Sequence, residues 1–106
     1  MTIRHIVLFR LNAGMDRGDS CVLRAAALSR THAEHIPEIL EWWAGFDCGG
    51  RSISCDFMVM GLFAGRAELD RYLKDPHHRR GAGQWAELAS WVVIDVDEGE
   101  SHVSGE

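Results

Sequence analysis

Thr2-Ile3-Arg4-His5-Ile6-Val7-Leu8-Phe9-Arg10-Leu11 opens the chain, and its two parities decide the fold. Ile3, His5, Val7, Phe9 and Leu11 share one side of an extended backbone, and Arg4, Ile6, Leu8 and Arg10 share the other. A period of two with β-branched residues predicts a strand. Hydrophobes on both parities predict that both sides are covered, so the strand should be central in its sheet.

Outward from it, residues 12–18 read as a loop. Asp19 or Ser20 can cap a helix predicted to run to about His35, with Val22, Ala25, Ala26 and Ser29 as its inward stripe. Pro37 marks its end, because an interior proline breaks the hydrogen-bond ladder. Ile39–Cys48 alternates as a second strand, Gly49-Gly50 supplies a turn, and Ser54–Phe63 is a third strand; their short spacing predicts an antiparallel hairpin. Arg66–Lys74 reads as a short helix with Leu69, Tyr72 and Leu73 on its apolar stripe. Asp75-Pro76 should stop it, since the residue before proline avoids the helical region. A further helix is expected from Gly83 to Ala89, with Trp85, Leu88 and Ala89 inward, and Ser90–Val96 is the last strand. Glu98–Glu106 is polar and is expected to be a flexible tail behind one domain spanning residues 1–97.

The order β-α-β-β-α-β predicts an α+β, ferredoxin-like fold: a four-stranded antiparallel sheet with helices on one face. Strands one and three carry hydrophobes on both parities, so the other face is apolar too. Monomers rarely expose apolar patches larger than a few hundred Å². Packing against the same face of a second copy buries it. We therefore expect a homodimer joined through its sheet faces, a dimeric α/β barrel.

Composition narrows the function. The 106 residues suit one domain, and 46% hydrophobic with 25% charged residues is a globular balance. Apolar runs fall far short of the roughly 20 residues that span a bilayer, so no membrane partner is expected. Sixteen acidic against eleven basic residues give a net charge of -5, which disfavours nucleic acid as a partner. Arg4, Arg10, Asp16 and Arg17 interrupt the start of the chain, which does not read as a signal peptide. Cys21, Cys48 and Cys55 cannot all pair and lack zinc-ribbon spacing; reduced thiols in a cytoplasmic protein are expected. His32 and His35 lie three apart on a helix, but zinc needs three or four ligands. A solvated helix end is the expectation there, and neither a metal nor a cofactor is expected.

Arg4-His5-Ile6-Val7-Leu8-Phe9-Arg10, the strand through Val59 and Phe63, Tyr72, and Asp75-Pro76-His77-His78 together resemble the stress-responsive A/B barrel (Dabb) family. The resemblance covers about residues 2–96. It implies a dimer whose two sheets face each other. One plant branch of the family resembles polyketide cyclases, which close a linear poly-β-keto thioester by intramolecular aldol condensation. The resemblance to that branch implies Tyr72 and His78 as an acid/base pair and places His5 in or near the pocket. Phe57 stands where the branch can carry a second pocket histidine, and Asp75 rather than histidine precedes the proline.

Such chemistry needs a base active near neutrality and a donor for a developing oxyanion. Histidine, with an unperturbed pKa of about 6.5, suits the first role and a tyrosine hydroxyl the second. The expected site is a pocket for a small hydrophobic carbonyl compound lined by Val7, Phe9, Phe57, Val59 and Tyr72, with His5 and His78 at its polar end. A buried His5 needs a partner, since leaving it unpaired costs about 1–3 kcal/mol; Tyr72 or His78 are the candidates. The plainer alternatives are a core Tyr72 with its hydroxyl at the surface and a His78 that caps a helix. His77-His78-Arg79-Arg80 could hold a carboxylate, phosphate or carrier anion, or simply be solvated. Trp42-Trp43 puts one ring on each sheet face. Two other functions stay open: a non-catalytic dimeric stress-response or structural protein and, from fold alone, a monooxygenase of the dimeric-barrel superfamily.

Overall fold

The computed structural model describes residues 1–101. Its elements are β1 (Ile3–Leu11), α1 (Ser20–Arg30), α2 (His32–His35), β2 (Glu41–Phe46), β3 (Phe57–Phe63), α3 (Arg66–Lys74), α4 (Pro76–Ala86), β4 (Ala89–Asp97) and α5 (Glu98–Ser101). The strands form one antiparallel sheet in the order β2-β3-β1-β4, with β1 inside it as its two apolar faces require. This is the ferredoxin-like arrangement.

Register sorts the side chains into two layers. Ile3, His5, Val7 and Phe9 of β1 and Phe57, Val59, Gly61 and Phe63 of β3 are buried beneath the helices. The helices answer with Val22, Ala25, Ala26 and Ser29 of α1, Leu69 and Tyr72 of α3, and Trp85 of α4. On the opposite face, Trp43, Met60, Ile6 and Ile94 lie in register across all four strands, and Gly45, Met58, Leu8 and Val92 form the next row. Trp43, Val92 and Ile94 are 60%, 64% and 57% exposed in the single chain.

Several boundaries differ from the sequence reading, among them the end of α4 at Ala86, so that Ala89 opens β4 instead of closing a helix. The first helix breaks at Thr31, whose hydroxyl and backbone N–H both bond to the Leu28 carbonyl, and a separate turn carries His32–His35. β2 and β3 are shorter than their alternation, because Asp47 and Asp56 leave the regular ladder: Asp56 N–H bonds to Phe9 O of β1. Pro76 starts α4 instead of only ending α3. At the first helical position proline needs no N–H partner, and the Asp75 carboxylate accepts from His77 N–H as the N-cap. Of the expected tail, Glu98–Ser101 forms α5, and residues 102–106 lie outside the described residues. Arg4 donates to both Glu98 carboxylate oxygens, at 2.8 and 2.6 Å. No helix among the described residues is long and apolar enough to cross a membrane.

Gly61 pairs with His5 on one side and Trp42 on the other. A methyl group there would sit 2.9 Å from Phe63 Cε2 and 3.0 Å from Trp42 Cζ3. Gly45 has nothing within 4 Å of the same position. Gly61→Ala is therefore expected to cost about 1–3 kcal/mol in urea denaturation, while Gly45→Ala should be near neutral. Equal stabilities of the two variants would refute this packing.

Candidate functional site

A cavity of about 120 Å³ lies between the covered face of the sheet and the helices. The sheet contributes His5, Val7, Phe9 and Val59; α3 contributes Tyr72 and Leu73; α4 contributes His78, Gly81, Ala82 and Trp85. Ser29 and His32 close it from the first helical pair, and Trp91 and Val93 of β4 border it where the helices stop short of the sheet edge. Six of the seven expected site residues thus line one space: His5, Tyr72, His78, Val7, Phe9 and Val59. Phe57 does not. It lies one layer behind, with its ring stacked 5.1 Å from that of Trp85.

His5 is 3% exposed, and its Nδ1 lies 2.5 Å from Asp95 Oδ1. Asp95 is the direct register partner of His5 across β1 and β4. The expected partner was Tyr72 or His78. Tyr72 instead packs its ring edge-on against His5 at 5.8 Å. A carboxylate only accepts, so His5 Nδ1–H donates to Asp95.

Tyr72 is 1% exposed, so its hydroxyl is not at the surface. Its ring centre is 5.8 Å from that of His5 and 4.4 Å from that of His78, which brings all three predicted polar residues together. Burial pushes its phenol pKa well above the usual tyrosine range, so Tyr72 holds its proton. His78 Nδ1–H donates to Leu73 O at 3.2 Å, which leaves Nε2 unprotonated in the neutral ring. Burial lowers the His78 pKa, and the Leu73 carbonyl opposes that only in part. The pocket therefore holds a protonated phenol beside a neutral imidazole.

For His32 the structure corrects the expectation of a solvated helix end; His35 is exposed, as expected. His32 is 3% exposed, its Nδ1 lies 2.7 Å from His77 Nδ1, and the His35 ring stacks 4.3 Å from that of His77. Gly81 makes this approach possible: a methyl group there would lie 2.9 Å from His32 Nε2. Burial first, then His77 and His78, lower the His32 pKa to about 4. Burial also lowers that of His77. Among the described residues no three His, Cys, Asp or Glu are grouped so as to hold a metal ion.

Asp95, His32, Ser29 and Trp85 are the site residues that sequence reasoning missed. Asp95 left a signal: it shares the parity of Trp91 and Val93, and pairing the first and last strands sets it opposite His5. His32 left none, because its burial depends on where α4 begins.

Comparison with known proteins fixes the lineage. The family model for the stress responsive A/B barrel domain matches residues 3–98. The chain belongs to that family. An uncharacterised Streptomyces coelicolor protein is 34% identical over 95 residues, covering 90% of this chain and 98% of that protein. A dimeric ferredoxin-like protein from Thermobifida fusca superposes with a TM-score of 0.80 at 27% identity, over 91% of this chain and 90% of that one. A hydroxynitrile lyase from Passiflora edulis shares the fold, with a TM-score of 0.75 at 20% identity over 92% and 94% of the two chains.

The lowered histidines set a pH dependence for this A/B barrel domain. A group whose pKa is depressed in the fold but ordinary in the unfolded chain stabilises the fold while neutral. That contribution is complete above the unfolded value of about 6.5 and is lost as pH falls below it. Urea stability should be level above neutrality and fall between about pH 6.5 and pH 4. His32→Gln should lower the plateau and flatten the fall. Parallel profiles for the two proteins would show that His32 is not the group responsible.

Proposed function

We propose that this protein is a homodimeric, cofactor-independent acid–base enzyme that makes or breaks a carbon–carbon bond next to a carbonyl, in the manner of a polyketide cyclase. The observation that carries the reading is the convergence of His5, Tyr72 and His78 on one cavity. In the forward direction His78 Nε2 takes a proton from the carbon beside a carbonyl. The resulting enolate carbon attacks a second carbonyl, a C–C bond forms, and the π pair of that carbonyl moves to its oxygen. Tyr72 O–H donates to the oxygen where charge develops, and His78 returns the proton. The Asp95 carboxylate fixes the tautomer and orientation of His5, which can hold the other carbonyl or a bridging water. The reverse sequence is a lyase reaction, the class named for the Passiflora edulis relative of this fold.

The uncovered sheet face supports the homodimer. Rows of Trp43, Met60, Ile6, Ile94 and of Met58, Leu8, Val92 form one apolar surface. A groove along Leu8, Gly45, Ile53 and Met58 adjoins it. A second copy presents the same surface in return, and the Thermobifida fusca relative is itself dimeric.

Two experiments test the reading. The first assays a panel of β-hydroxy ketones and cyanohydrins for carbonyl release. Tyr72→Phe and His78→Ala should each lower kcat by about 10²–10⁴-fold with the melting transition retained, and full turnover in both variants would overturn the mechanism. The second is sedimentation of Ile6→Asp/Ile94→Asp, which should yield a monomer from a dimeric parent; a parent already monomeric at micromolar concentration would remove the dimer.

A further inference from the structure

We propose that Trp85 sets the length of this site, and that the site takes an uncharged carbonyl compound about the size of one six-membered ring. The inference rests on the carbonyl chemistry proposed above and specifies its substrate class.

The cavity runs along β1 from His5 to Phe9. Four residues of extended chain span about 13 Å. The His5 end is polar, with Tyr72 and His78 beside it. The Phe9 end is aromatic and closed by Trp85. That indole is held from three directions. It stacks on Phe9 at 4.6 Å and on Phe57 at 5.1 Å, and its Nε1–H donates to Ser29 Oγ at 2.8 Å. Trp85 and Ser29 are 1% and 2% exposed. Swinging the ring aside would break the stack and strand a buried N–H, so Trp85 is a fixed wall.

Size follows from that wall. The space is about 120 Å³ and opens past Trp91 and Val93 of β4. An apolar cavity of about 150 Å³ accommodates one benzene ring. A space somewhat smaller than that leaves room for no more than one ring beside Trp85, with a short carbonyl substituent reaching toward Tyr72 and His78. A second fused ring meets Trp85.

Charge follows from the lining. Among the described residues no Asp, Glu, Lys or Arg borders the cavity. Asp95 is engaged by His5, and Arg79 and Arg80 are exposed outside the lining. Burial holds His32 and His78 toward their neutral forms. A carboxylate or phosphate placed here would lose its hydration with no counter-charge in return.

Calorimetric titration at neutral pH tests the inference with three probes: acetophenone, 2-acetonaphthone and benzoate. Wild-type protein should bind acetophenone about tenfold or more tightly than the other two. Trp85→Leu should gain 2-acetonaphthone binding while still rejecting benzoate. Equal wild-type affinity for one and two rings overturns the size limit, and equal affinity for benzoate overturns the requirement for a neutral ligand. Absence of acetophenone binding overturns both. If Trp85→Leu loses its cooperative melt, Ala82→Leu, which fills the cavity from α4, serves instead. It should abolish acetophenone binding, and unchanged binding would overturn the assignment of the site. Binding without turnover of any ketol removes the catalytic reading and keeps the size rule. Faster turnover of two-ring than one-ring ketols does the reverse.

Discussion

A β-strand has two faces, and in β1 both are apolar. Ile3, Val7 and Phe9 must be kept from water on one side and Ile6 and Leu8 on the other. Burying such side chains contributes roughly 1.5–3 kcal/mol each, so neither face can be left bare without forfeiting a large part of a small domain's stability. One helical layer can cover one face. α1 and α4 do so over β1 and β3, but they leave part of the edge strand β4 uncovered. Trp91 and Val93 of β4 stay 39% and 51% exposed although they point to the helical side. The slot left between the last helix and this edge is the cavity. Cavity and uncovered apolar face are thus two outcomes of one constraint: too much apolar sheet for one layer of helices.

Polar groups enter this slot through register. His5 falls opposite Asp95 on one neighbouring strand and Gly61 on the other. The carboxylate gives the imidazole its partner, and the missing side chain at Gly61 lets the Trp42 and Phe63 rings close in. Tyr72 and His78 come from two helices joined at Asp75-Pro76, where the proline forces the chain to turn and Asp75 caps the new helix. All four groups stand on strands or helices and none on a loop, which holds their geometry without a closing segment.

The alternation of Thr2–Leu11 makes the sheet, its covered and uncovered faces, and the inward placement of His5, Val7 and Phe9 legible in the sequence. Tyr72 and His78 were legible through family resemblance; spacing alone left them ambiguous. The misreadings of α4 and of His32 share a cause. Pro76 carries the same local information whether it ends one helix or begins the next, and only Asp75 accepting from His77 N–H decides between them. Starting α4 seven residues before the expected Gly83 brings His77 and Gly81 onto His32 and buries it, while His35 stays exposed. Phe57 has the right parity but the wrong depth, because parity does not reveal that Trp85 stands between it and the cavity.

Within the proposed chemistry, one physical cause prepares both partners. Burial opposes charge on whichever group it surrounds, so it raises the phenol of Tyr72 and lowers the imidazole of His78. The acid keeps its proton and the base keeps its lone pair, with their rings 4.4 Å apart. Direct transfer between them would create a phenolate and an imidazolium in the same low-dielectric space, and each charge is what burial penalises. The proton's favourable route is therefore through a substrate whose own charge changes as it moves. An enolisable carbonyl fits that demand: it loses a proton at carbon to His78 while charge gathers at the oxygen that faces Tyr72.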